Sequence, residues 1–170
     1  MQSGKSYARV GKFIQYAIIK TEPWRLRVLL QRENNPHLNT VTAYDTEYVE
    51  INREKHHSSI CLRPEGPIEP LPITQASDIN LELLREITGL DQRQQDPMAF
   101  LNDEPAPLPE QAPEVLLIGT GPQQHFLPPA ELAELLKAGI GVEVMDTAAA
   151  ARTYNILMSE GRKVVAILLL

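Results

Sequence analysis

Cysteine is almost absent from this chain, which has Cys61 alone among 170 residues. A single cysteine cannot form an intramolecular disulfide, which excludes a disulfide-stabilised scaffold and indicates a reducing compartment. We expect Cys61 to serve in core packing. Long apolar runs are also missing: the longest, VVAILLL at 164–170, has seven residues, whereas a helix that crosses a bilayer needs roughly 20. We therefore expect no membrane span, and a buried strand at 164–170.

Positive charge is scarce outside the first 32 residues. Residues 1–32 carry seven basic residues against one acidic residue, whereas the remainder carries nine basic and 21 acidic residues. So acidic a body should repel nucleic acid, and we predict no nucleic-acid partner. The basic leader loosely resembles an organelle transit peptide, but it fits an extension from an upstream start codon equally well. It lacks the apolar core and cleavage site of a secretory signal, so we expect no export.

A complete nucleotide-binding motif is missing from the stretch VLLIGTGPQQHFLPP. Gly119 and Gly121 match the first two glycines of a dinucleotide fingerprint, and Asp146 ends the next predicted strand, where a ribose-binding acid would lie. The third glycine position holds Gln124, however, and Pro122 has no N–H to donate. No G-K-[ST] follows the glycines. We favour a tight turn, with the alternative that it lines a pocket at the carboxyl end of the sheet.

Catalytic and metal-binding patterns are missing as well. His56 and His57 are adjacent on a predicted strand, so their side chains should point to opposite faces, and no second Cys or His pair has the spacing of a zinc site. His125 follows the glycine-rich turn, but no G-x-S-x-G motif accompanies it, which favours an exposed loop histidine. We predict no catalytic residue, no metal and no cofactor, and we lean towards a protein that is not an enzyme.

Strand and helix patterns are clear in the first half of the chain. Residues 40–61 alternate apolar and polar side chains and predict a meander of two or three strands. After a proline-rich connector, apolar residues at helical spacing predict a helix that is capped by Ser77 or Asp78 and ends at Gly89. Residues 91–113 contain five prolines and few apolar side chains, which predicts a mobile loop.

The second half alternates strands and helices with short connections, the pattern of βαβ units. The predicted elements are strand 115–118, helix 129–138, strand 142–145, helix 147–160 and strand 163–170. The last strand is continuously apolar, which places it centrally between two layers. We predict a basic and flexible N-terminal extension over 1–37, followed by one α/β domain over 38–170.

The helix predicted at 147–160 contains the most informative polar residues. Thr147 is the expected N-cap. Arg152 and Asn155 share a face, and alanines precede the arginine. An arginine on a packed helix needs a partner, which we expect to be an internal carboxylate such as Asp146 or a set of backbone carbonyls. The alternative partner is the carboxylate or phosphate of a ligand.

The segments EVLLIGTG, LLKAGIGVEVMDT and AAARTYNILMSEGRKVVAILL together resemble the MTH-type conserved domain family of unknown function. That family includes mitochondrial respiratory complex I assembly factor three and the adipogenesis-associated MTH-type domain protein. The resemblance covers about 38–170 and implies a three-layer α/β domain with a central mixed sheet in which one strand runs against the others. It implies no established enzymatic activity. The C-terminal sequence resembles the bacterial members most.

Residues typical of the family, together with Asp146, form a candidate ligand or partner pocket. They are Gly119, Thr120, Gly121, Asp146, Thr147, Arg152, Thr153, Tyr154 and Asn155. The resemblance also covers 160–162 and implies a non-catalytic protein-interaction or assembly factor with an unidentified protein partner. The alternative is a small anionic-ligand-binding domain, or an unrecognised enzyme, that uses the Gly-Thr-Gly turn and Arg152. We expect a bacterial cytoplasmic location, with the mitochondrial matrix as the alternative.

Overall fold

The computed structural model describes residues 37–92 and 108–170, together with two strands near the N-terminus. The chain divides into two compact units, residues 1–36 and 37–170. In the first unit, β1 (Tyr16–Ile18) pairs antiparallel with β2 (Val28–Leu30). The predicted flexibility of 1–37 and mobility of 91–113 concern residues that lie mostly outside the described part, so both stay predictions.

A five-stranded mixed sheet forms the centre of the second unit. Its strands are β6 (Ile60–Leu62), β7 (Glu69–Pro70), β8 (Val115–Gly119), β9 (Gly141–Met145) and β10 (Val164–Leu168), in the spatial order β7-β6-β10-β8-β9. Strands β8 and β9 run parallel to β10, and β7 and β10 both run antiparallel to β6. One strand of the five, β6, therefore runs antiparallel to the other four. The central position of the last strand is confirmed, because all five residues of β10 are buried.

Elements pack on both faces of this sheet, which confirms the three-layer architecture. One face carries α1 (Leu81–Thr88) and α2 (Pro129–Lys137), whose buried Leu84, Ile87 and Leu135 share a core with Leu116 and Ile167 of the sheet. The other face carries α3 (Thr147–Ser159). A separate three-stranded antiparallel sheet, which is the predicted meander, packs on that same face; its strands are β3 (Val41–Tyr44), β4 (Val49–Ile51) and β5 (Glu54–His56).

Polar contacts hold α1 and α2 together at both ends of α1. Glu131 of α2 accepts a hydrogen bond from the backbone N–H of Leu81 at 2.6 Å, and Arg85 pairs with Glu134 through both Nε and Nη2. The acceptor at the first turn of α1 complements the unpaired N–H groups there. The C-terminal end is as predicted, since Gly89 adopts the left-handed conformation at φ 72°.

The predicted cap of α1 is wrong. Asn80, not Ser77 or Asp78, precedes the helix and accepts from the Leu83 N–H at 3.0 Å. Asp78 is already engaged one turn earlier, where its carboxylate accepts from the backbone N–H groups of Thr74 and Gln75. Those bonds lower the pKa of Asp78.

Over 37–92 and 108–170, none of the helices is long and apolar enough to cross a membrane.

Candidate functional site

The Gly-Thr-Gly turn lies where β8 ends against the first turn of α3. A Cβ atom on Gly119 would lie 2.8 Å from the Thr147 Cα and 3.1 Å from the Ala150 Cβ. Those distances are shorter than van der Waals contact, and the nearest atom belongs to the backbone. Gly119 is therefore required because the helix approaches the strand closely. Gly121 is required for a different reason, its left-handed φ of 99°.

The backbone N–H groups of the turn donate within the fold. The Thr120 N–H donates to the Met145 carbonyl at 2.9 Å, and the Gly121 N–H donates to Thr147 Oγ1 at 2.9 Å. The Thr120 hydroxyl lies 2.9 Å from the Gln123 carbonyl and accepts from the N–H of His125. Because both N–H groups already have acceptors, a phosphate could bind them only by displacing those bonds. The geometry supports the tight-turn interpretation of the sequence.

Thr147 ties three segments together, and its predicted role is wrong. Asp146 is the N-cap of α3, since its carboxylate accepts from the Ala149 N–H at 2.7 Å. Thr147 is the first residue of the helix. Its hydroxyl donates to the Leu169 carbonyl at 2.7 Å while it accepts from Gly121. The buried hydroxyl thus connects the turn after β8 with the residue that follows β10.

The Arg-Thr-Tyr-Asn segment of α3 binds the backbone of the neighbouring sheet. Asn155 Oδ1 accepts from the Val41 N–H at 3.0 Å, and its Nδ2 donates to the Val41 carbonyl at 2.7 Å. Tyr154 is buried, and its hydroxyl donates to the Asn39 carbonyl at 3.0 Å. The Thr153 hydroxyl lies 3.7 Å from the Met145 sulfur. Three of the four side chains therefore serve to attach α3 to the rest of the fold.

Arg152 is the exception, and its predicted internal partner is wrong. Its side chain is exposed, and Nη1 donates to the hydroxyl of Tyr44 at 2.6 Å. The guanidinium carbon also lies 5.8 Å from the centre of the Tyr44 ring, within cation–π distance. Within the described part of the chain, neither Asp146 nor a backbone carbonyl accepts a hydrogen bond from Arg152. The buried residues of α3 are Thr147, Ala150, Ala151, Tyr154 and Met158. Helical geometry places position 152 on the opposite side.

Burial raises the pKa values of two side chains in the core, those of Cys61 and Tyr154. It raises the pKa of the Cys61 thiol to about 11, because the cost of burying the thiolate outweighs the attraction of Arg63, whose Nη1 lies 3.5 Å from Sγ. Burial likewise raises the pKa of Tyr154. A thiol with so high a pKa is a poor nucleophile at neutral pH. Cys61 therefore behaves as the core residue that the sequence predicts.

Three exposed apolar residues near these elements were not among the sequence candidates. Tyr44 and Ile156 are 39% and 55% exposed, and Phe126 is 86% exposed in the loop between β8 and α2. Tyr44 could not be found from sequence because its contact with Arg152 spans 108 residues of chain. Ile156 could have been found, since it lies one turn after Arg152 on the same face of α3.

The structure therefore brings the predicted pocket residues into two groups. Gly119, Thr120, Gly121, Asp146 and Thr147 meet where β8, β9 and the start of α3 converge, and Thr153 contacts Met145 at the end of β9. Arg152, Tyr154 and Asn155 instead contact β3 and the residues that precede it. Both groups are built mainly from bonds that maintain the fold. A ligand pocket at these residues stays a prediction.

The fold and these contacts define a three-layer α/β domain in which a glycine-rich turn and a helix motif hold the layers together. The chain belongs to the family described as "Protein of unknown function (DUF498/DUF598)", whose model matches residues 41–169. The family membership expected from the sequence is confirmed.

A solved structure and two curated relatives show what the chain is similar to. The solution structure of a Mth938-like domain protein of Bordetella pertussis is 49% identical, with a TM-score of 0.65, and the match covers 83% of this chain and 91% of that one. The 13 kDa major membrane protein of Francisella tularensis is 45% identical over 58 residues, which are 34% of this chain and 46% of that protein.

The second relative is NADH dehydrogenase [ubiquinone] 1 alpha subcomplex assembly factor 3 of Danio rerio. It is 48% identical over 56 residues, which are 33% of this chain and 32% of that protein. The chain thus spans less than half the length of each of these two curated relatives.

Proposed function

We propose that this protein is a non-catalytic protein-interaction module that acts as an assembly factor. The observation that carries the proposal is how the family-typical polar groups are used. Thr120, Thr147, Tyr154 and Asn155 direct their side-chain hydrogen bonds to the backbone of the domain itself, whereas Arg152 lies on the surface. A catalytic site needs polar groups that point at a substrate. The polar groups here instead stabilise the fold of the domain and so maintain the surface that a partner would bind.

The relative from Danio rerio supports the finer form of the proposal, assembly of a respiratory NADH dehydrogenase, because it is named for that role. We propose a bacterial cytoplasmic location. The alternative proposal, a site for a small anion at the Gly-Thr-Gly turn, has less support. It requires N–H groups that are free to donate, and those of Thr120 and Gly121 have acceptors within the fold.

The experiment is a deletion of the gene in its native host, complemented by the wild-type chain. We expect the deletion strain to accumulate incomplete NADH dehydrogenase on native gels stained for NADH oxidation, and the wild-type chain to restore the complete enzyme. The tagged protein should co-purify with one or more subunits of that enzyme.

Complete NADH dehydrogenase in the deletion strain would contradict the respiratory role, while co-purification with a different complex would leave the interaction role standing. Tight binding of a small anion by the purified chain, with no protein partner recovered, would contradict both. A calorimetric titration with inorganic phosphate provides that comparison.

A further inference from the structure

A small surface on α3 and β3 combines an aromatic, a cationic and an aliphatic side chain. We call Tyr44, Arg152 and Ile156 the α3 face. Arg152 and Ile156 lie one turn apart on the exposed side of the helix, and Tyr44 of β3 holds the guanidinium through its hydroxyl at 2.6 Å. Tyrosine and arginine are the residue types, with tryptophan, that contribute most to binding energy at protein interfaces.

The charge of Arg152 is not neutralised by a carboxylate within the described part of the chain. The salt bridges found there join Arg63 to Glu69, Arg85 to Glu134 and Arg162 to Glu114. Among the residues that the structure describes, Arg152 contacts the hydroxyl and the ring of Tyr44 through Nη1 and the guanidinium carbon, which leaves Nε and Nη2 able to donate. A guanidinium that is already held in one position loses less conformational entropy when it binds a planar acceptor.

We infer that the α3 face is a docking site for a segment of a partner protein that offers an aspartate or glutamate beside an apolar side chain. This inference rests on the proposed function. The carboxylate would accept two parallel hydrogen bonds from the guanidinium, and the apolar side chain would cover Ile156 and the Tyr44 ring. A nucleic-acid phosphate would meet the same guanidinium, but the net charge of −6 opposes its approach.

The test uses a library of 12-residue peptides displayed on phage and selected on the purified full chain. We expect the selected peptides to be enriched in an acidic residue next to an aliphatic or aromatic residue. A synthetic peptide from this set should shift the backbone amide NMR signals of Tyr44, Arg152 and Ile156. It should bind the Arg152→Met protein about tenfold or more weakly.

The same loss is expected when the peptide's acidic residue is replaced by its amide. Arg53→Met is the matched control, because Arg53 is also exposed and outside the three salt bridges but lies at the tip of the β4–β5 hairpin. We expect it to leave peptide binding unchanged. A cooperative urea unfolding transition of Arg152→Met, with the variant fully folded in the absence of urea, would show that the loss of binding is not a loss of folding.

Several outcomes would overturn the inference. These are selection of no peptide, selected peptides without acidic enrichment, equal binding by the Arg152→Met protein, and NMR shifts confined to another surface. The last outcome would leave the proposed function standing, whereas an absence of both peptide and cellular partners would remove both. Self-association that Arg152→Met abolishes would assign the face to a second copy, and equal NMR shifts with inorganic phosphate would assign it to a small anion.

Discussion

The side chain of Asn155 pairs with the backbone of Val41 across 114 residues of chain, accepting at 3.0 Å and donating at 2.7 Å. These two bonds are the pair that a neighbouring strand would supply, but here a helix supplies them. They fix the first residue of β3 against α3, and Tyr44, three residues later in the same strand, contacts Arg152. The Arg-Thr-Tyr-Asn segment thus contains one residue that holds the fold together, Asn155, and one exposed residue, Arg152.

Thr147 provides a test of the connection between the turn and the end of the sheet. Thr147→Val keeps the shape but removes the hydroxyl, which leaves the Gly121 N–H and the Leu169 carbonyl without their buried partner. We expect the free energy of unfolding to fall by about 2–4 kcal/mol, the cost of two unsatisfied buried groups. Urea denaturation measures it. Thr147→Ser retains the hydroxyl and should lose less than half as much; equal losses would show that the methyl group matters more than the bonds.

Gly119 and Gly141 form a matched pair for the close approach of α3. In Gly119→Ala the new methyl would meet the Thr147 backbone at 2.8 Å, so the helix must move away from β8. In Gly141→Ala the nearest atom is the Glu114 carbonyl oxygen at 3.4 Å, an ordinary contact. We expect the first variant to lose about 2 kcal/mol or more and the second less than about 1 kcal/mol. Similar thermal midpoints for the two variants would contradict this packing.

The stability of the domain should decline in alkaline solution. Burial raises the pKa of Cys61 from 9.0 to about 11, so the folded chain holds this proton more tightly than the unfolded chain does. The resulting stabilisation is complete below pH 9 and is lost as pH rises from 9 to 11. Two pKa units correspond to about 2–3 kcal/mol. Tyr154, whose pKa is also raised, adds to the decline above pH 10.

The measurement is the free energy of urea unfolding at several values between pH 7 and pH 11. The Cys61→Ala protein should show a shallower decline between pH 9 and pH 11 than wild type, although its smaller side chain lowers stability at every pH. Parallel curves for the two proteins would show that the thiol does not titrate with folding. Thiolate absorbance at 240 nm should stay low in the folded wild type at pH 9.5.

Much of the fold is predictable from the sequence, because local signals and tertiary contacts agree there. Gly89 ends α1 as expected, and the uninterrupted apolar strand at 164–168 lies at the centre of the sheet. The predicted caps are wrong because each candidate capping side chain forms its hydrogen bonds elsewhere. Asp78 serves the preceding turn and Thr147 bonds to Gly121 and Leu169, so Asn80 and Asp146 cap the helices.

The candidate site was harder to predict because it depends on which face of α3 points outward. The alanines before Arg152 favour a packed helix around the arginine, which is why an internal partner is expected from the sequence. The inward residues 150, 151, 154 and 158 nevertheless follow helical spacing, so the outward direction of Arg152 was available from the sequence. Its contact with Tyr44 was not, because no local pattern relates residues in β3 and α3.

The central claim concerns two residues of the Arg-Thr-Tyr-Asn segment of α3. The side chain of Asn155 stabilises the fold, whereas the side chain of Arg152 does not. The most direct test compares the unfolding free energies of Asn155→Ala and Arg152→Met by urea denaturation. We predict a loss of about 2–4 kcal/mol for Asn155→Ala, because the Val41 N–H and carbonyl lose their partner. For Arg152→Met we predict a loss of about 1 kcal/mol or less, since its contact is exposed. A loss for Arg152→Met that equals or exceeds the loss for Asn155→Ala would contradict the account.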